Sequence, residues 1–117
     1  MNTFTAYLGA EIEHLRKEEA LLAADDRKDE ADLARIRRNI FEICSTVHAV
    51  FGQKIVPESF YEAYLAKLDE FRSAWRASQQ RADANDDGTK AAVEAVKLEA
   101  LTAIRAKFIE AGVTAHD

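Results

Sequence analysis

The chain has 117 residues, 48% of them hydrophobic and 32% charged, with only one proline and four glycines. Many charges with few breakers exclude a collagen-like or low-complexity chain and favour helices over strands, and the length suits one domain that buries roughly two-thirds of its unfolded surface. The net charge of −5 argues against a general nucleic-acid binder, which needs a basic face to neutralise phosphates.

Residues 1–30 carry eight acids and four bases. The opening "MNTFTAYLGAEIEH" lacks the basic and apolar regions of a secretion signal. No run approaches eighteen apolar residues, so no membrane span is expected. A lone Cys44 forms no internal disulfide, and the expected compartment is the cytoplasm.

The first helix is expected over about 3–25, with Thr3 as its cap. Phe4, Leu8, Ile12, Leu15 and Leu22 recur at helical spacing and mark one apolar stripe. Glu19 falls on that stripe, so it lies near a bundle end or needs a buried partner. Glu11, His14 and Glu18 share a face, but the second Glu-x-x-His and further glutamates of a di-iron bundle are missing. They read as a surface charge network.

Residues 23–33, "AADDRKDEADL", allow two readings. Asp29 suits the cap of a second helix, which makes this segment a hairpin turn. "RKDEA" resembles the turn joining paired helices in tetratricopeptide-type hairpins, although the rest of that repeat is missing. Alternatively, the heptad phase continues from Leu22 through Asp26 and Asp29 to Leu33 without Gly or Pro, giving one helix of about fifty residues and a helix-exchanged dimer. Two aspartates on the seam favour the hairpin.

The second helix, about 30–51, carries Ile36, Ile40, Ile43, Val47 and Val50, widened by Phe41, Cys44 and Phe51. So wide an apolar arc implies contact with more than one neighbour, in a bundle core or a dimer interface. Arg35, Arg37 and Arg38 cluster on it as a solvated face expected to pair with carboxylates. His48 sits beside the arc and is expected as a satisfied boundary residue. Gly52 is expected as a left-handed cap, and Pro57 as the first turn of the next helix.

The third helix, about 57–82, concentrates Phe60, Tyr61, Tyr64, Leu65, Leu68, Phe71 and Trp75. Core packing is the ordinary role of rings at this spacing, and an aromatic ligand pocket is the alternative. The fourth helix, about 89–111, has a stripe of Val93, Val96, Leu101, Ile104 and Phe108. Gly112 is its expected cap and "VTAHD" a frayed tail.

One stretch between the last two helices matches a motif. "DANDDGTKAAVE", residues 83–94, fits the EF-hand-like pattern D-x-[DN]-x-[DN]-G-x5-E. Asp83, Asn85 and Asp87 would offer three side-chain oxygens to calcium, Thr89 its carbonyl, and Glu94 two more. Against this, Lys90 replaces the usual aliphatic residue and no paired loop exists. The plainer role is a turn with Gly88 at positive φ and Thr89 as cap.

These features specify an all-α, antiparallel up-and-down four-helix bundle. Its expected role is a non-enzymatic interaction or structural module, homo-oligomeric or bound to a helical partner. No cofactor is expected, nor any nucleic-acid or membrane partner. The alternatives are a calcium-binding protein working through residues 83–94, and a small-ligand carrier or enzyme using the aromatic residues of the third helix.

Overall fold

A computed structural model describes residues 3–116, with side chains described for 3–112. It has four helices and no strand among the described residues: α1 Thr3–Ala24, α2 Lys28–Lys54, α3 Pro57–Ala84 and α4 Gly88–His116. The molecule is 45 Å long, close to the ~1.5 Å rise per residue expected of helices this size.

The topology is up-and-down. Phe4 at the start of α1, His48 near the end of α2, Phe60 at the start of α3 and Phe108 near the end of α4 meet at one end of the bundle. The α1–α2 and α3–α4 turns therefore share the other end. Each helix packs chiefly on its hairpin partner, while α2 and α4 touch across the centre and α1 meets α3 through the rings of Phe4 and Tyr64. The diagonal pair α2/α4 thus forms the spine of the bundle.

The apolar stripes form the core. Phe4, Leu8 and Leu15 of α1, Ile40, Phe41 and Cys44 of α2, Tyr64 and Leu68 of α3, and Ala100, Leu101, Ile104 and Phe108 of α4 are buried together. Near the turns the buried side chains are Ala31, Ala34, Ala82 and the carboxylate of Glu94. Large rings fill one end of the molecule and small methyls the other.

The two hairpin turns are built alike. Arg27 N–H donates to the Leu22 carbonyl and Asp26 N–H to that of Ala23, while Asp87 and Asp86 repeat the pattern onto Ala82 and Asp83. These six-to-one and inner four-residue bonds satisfy the last carbonyls of α1 and α3 as in a Schellman motif. The left-handed residue in each is an aspartate, Asp26 at φ 60° and Asp86 at φ 55°. Aspartate tolerates that region better than most residues carrying a Cβ.

Several expectations need correction here. The chain turns at 25–27, so the fifty-residue helix does not form. Asp29 is not the cap of α2. Arg27 holds that position without a side-chain cap bond, and Asp29 and Glu30 lie in the first turn, where carboxylates favour the positive end of the helix dipole. Gly52 and Gly112 lie inside helices, and no described glycine has positive φ. The last helix runs on to His116 rather than ending near 111. Gly112 serves a different purpose: a Cβ there would fall on the Tyr61 ring, with Cδ2 only 3.0 Å away. Pro57 does occupy the first turn of α3.

Candidate functional site

Residues 83–94 follow a tight helix–turn–helix path. Asp83 still belongs to α3, Asn85 is the residue that ends it, and α4 has begun by Gly88. Gly88 is helical and Thr89 lies one residue further on, so neither holds its expected place. Asp87 is the true cap: its Oδ1 accepts the Lys90 N–H at 3.0 Å, and its carbonyl accepts the Ala91 N–H. That aspartate satisfies a free donor of α4 and complements the dipole there. Glu94 lies further along α4 and is only 5% exposed. One of its oxygens pairs with Lys97 Nζ at 3.1 Å, while Oε2 is buried without a hydrogen-bond partner. Among the described residues, no group of three or more His, Cys, Asp and Glu is arranged to hold a metal ion.

The other sequence candidates are dispersed. His14 Nε2 lies 3.4 Å from Glu18 on the exposed face of α1. With Glu11, they line an open groove of about 430 Å³ between α1, α2 and α4. Leu15, Leu22, Leu33 and Val96 contribute its apolar walls. Arg37 crosses that groove to Glu99 at 3.2 Å, and Arg35 pairs with Asp32 at 3.0 Å. Arg38 reaches α1 and pairs with Glu19, with Glu42 3.7 Å away. The three arginines are therefore engaged with carboxylates, and Glu19 has the partner its position on the stripe demanded.

The rings of α3 divide between two places. Phe60, Tyr61 and Tyr64 join Phe4, His48 and Phe108 at the ring-filled end, with Tyr64 and Phe108 centroids 4.7 Å apart. Phe71 and Trp75 stack nearly parallel at 5.3 Å, under Lys67 and Lys97. These two rings thus meet each other and a lysine ammonium each, the ordinary packing of rings at helical spacing.

His48 departs from the sequence reading. Its imidazole stands edge-on to Phe60 and Tyr64, both at 5.1 Å, and tilts against Phe4. Nε2 is buried with no hydrogen-bond partner. Burial lowers its pKa from the ordinary value, because an imidazolium would lose its water among the rings. Cys44 is wholly buried, and burial pushes its thiol up to about 12, so it is not a nucleophile at neutral pH.

The feature with surface left to use is the outer face of α2. Ile43 is 41% exposed and Val50 38%, and Val56 just beyond the helix is 60% exposed. Together with Leu21 on α1, these are the exposed large hydrophobics among the described residues. Asn39, Glu42, Ile43, Thr46 and Val47 line a shallow open depression on this face. Glu42 stands at its edge, within reach of Arg16 and Arg38. The wide apolar arc read in the sequence thus splits, one part entering the core and the rest facing outward.

No described helix is long and apolar enough to cross a membrane. No family model, curated protein or solved structure matches the chain.

Proposed function

We propose that the protein is a non-enzymatic helical interaction module that works as a homo-oligomer through the outer face of α2. The observation carrying this reading is the stripe from Ile36 to Val50, which keeps Ile43 and Val50 exposed on a bundle whose core is already closed. Apolar area left in water is a driving force for association, at about 25 cal/mol per Å² buried. A helix face whose side chains recur every three or four residues suits another helix. A second copy always supplies the matching surface. The buried free thiol of Cys44 is compatible with a reducing cytoplasm.

Sedimentation equilibrium tests the reading. Wild-type protein should show twice the monomer mass at micromolar concentration. Ile43→Glu should sediment as a monomer with unchanged helical circular dichroism. A wild-type monomer at millimolar concentration would remove this function.

A second reading takes residues 83–94 as a calcium loop. Its support is the unpartnered buried Oε2 of Glu94, an oxygen at the position where the motif needs a ligand. Binding would require the turn at 85–87 to open and Glu94 to leave Lys97. Calcium should then raise the melting temperature of wild type and not of Glu94→Gln. No shift at millimolar calcium would dispose of it.

A further inference from the structure

We propose that two copies pair α2 against α2, antiparallel, about a two-fold axis passing beside Ile43. The inference rests on the proposed use of this face and specifies its partner, orientation and register.

The argument is one of position. Ile36 and Val50 each lie seven residues from Ile43, while Asp32 and Lys54 each lie eleven residues from it. Seven and eleven residues are close to two and three full helical turns, so all five side chains project within about 20° of one line along α2. Read along that line, the face is acidic, apolar, apolar, apolar, basic. Such an order is self-complementary only when the second helix is reversed. An antiparallel partner places Ile43 on the partner's Ile43, Ile36 on the partner's Val50, and Asp32 on the partner's Lys54. A parallel partner would set Asp32 on the partner's Asp32 and Lys54 on the partner's Lys54, both repulsive.

The charges are available for this. Lys54 is exposed and has no ion-pair partner among the described residues. Asp32 holds Arg35 through Oδ1, leaving its other oxygen open to a second cation. The two-fold repeats the Asp32–Lys54 contact twice per dimer, at both ends of an apolar centre that Glu42 flanks beside its own Arg38. Those end pairs set direction and register more than affinity, as rim charges do. The apolar centre holds the pair together.

Charge reversal and cysteine placement test the arrangement. Lys54→Asp should weaken dimerisation about tenfold, since two exposed pairs become repulsive. Asp32→Lys should do the same, and the Asp32→Lys/Lys54→Asp double variant should restore wild-type affinity. Under mild oxidation Ile43→Cys should cross-link to itself. Val50→Cys should not, yet should cross-link when mixed with Ile36→Cys. If the wild type is dimeric but Val50→Cys links to itself, or the double variant fails to recover, the antiparallel register is wrong while the interaction face survives. A monomeric wild type removes both.

Discussion

The hydroxyl of Tyr64 on α3 donates to the main-chain carbonyl of Cys44 on α2 at 2.8 Å, with both residues wholly buried. This bond adds a directional tie to the ring contacts of His48 with Phe60 and Tyr64 and of Phe51 with Tyr64, between two helices that each pack mainly on their own hairpin partner. Burial holds the phenol far above its ordinary pKa, so it stays a donor at any physiological pH. Tyr64→Phe keeps the ring and removes only the donor. It should lower stability by about 1 kcal/mol, the net worth of one such bond. Urea unfolding followed by circular dichroism reads the change.

His48 makes stability pH-dependent. Its folded pKa lies below the unfolded value, which is about 6.5. The unfolded chain therefore binds the proton more readily, and stability falls as pH drops. The contribution is fully present above about pH 6.5 and is lost as pH falls toward the folded pKa. His48→Phe should remove this part of the pH dependence. The comparison is urea unfolding of both proteins at pH 7.5 and pH 5.5, and equal slopes with pH would refute the assignment.

Glu19 and Arg38 form the half-buried ion pair between α1 and α2. Glu19→Ala leaves the guanidinium under-satisfied, and its Nε already has no hydrogen-bond partner. A loss of about 1–3 kcal/mol is expected. Glu19→Leu with Arg38→Met should recover most of it, because replacing both partners by apolar groups removes the desolvation penalty. A double-mutant cycle measures the coupling.

Gly112 on α4 faces the ring of Tyr61. Alanine would gain about 1 kcal/mol in helix propensity. The ring, however, stacks on Phe108 with centroids 5.0 Å apart, which restricts its retreat. Overpacking of this kind costs about 1–3 kcal/mol, so Gly112→Ala should destabilise. Adding Tyr61→Leu should reverse the sign, and thermal melts of the single and double variants check it.

Asp26 and Asp86 hold positive φ at helix-end positions where the left-handed residue is usually glycine. Asp86→Gly should stabilise by about 0.5–1 kcal/mol, by relieving the left-handed penalty. Asp87→Ala, next to it, should destabilise by about 1 kcal/mol through loss of the α4 cap. Opposite signs at adjacent aspartates would separate turn geometry from mere negative charge.

The helices were legible because the stripes from Phe4 to Leu22 and from Val93 to Phe108 repeat at a single period. The bundle followed, since four such stripes must hide against one another. The ends were harder. Glycine is the usual left-handed residue, so Gly88, Gly52 and Gly112 attract the expected caps, whereas the left-handed positions fall on Asp26 and Asp86 at the ends of α1 and α3. The gathering of rings at one end was hidden because Phe4, His48, Phe60 and Phe108 are far apart in the chain. Glu19 betrayed a partner by its place on the stripe, but only the packed helices identify Arg38. His48 carried no local sign that its Nε2 would lack a partner, because the rings around it come from all three other helices. For the 83–94 motif, the spacing of residues was readable and the path of the backbone was not.

Both hairpin turns sit at one pole, with Asp25, Asp26, Asp29 and Glu30 beside Asp83, Asp86 and Asp87. The rings cluster at the opposite pole. The seven carboxylates of the turn pole outnumber its bases, Arg27, Lys28, Arg81 and Lys90, by three, which gives a single copy an electric moment along its long dimension. Reversing a second copy beside it would cancel that moment. Dielectric relaxation would then distinguish the lone molecule from the pair without any label.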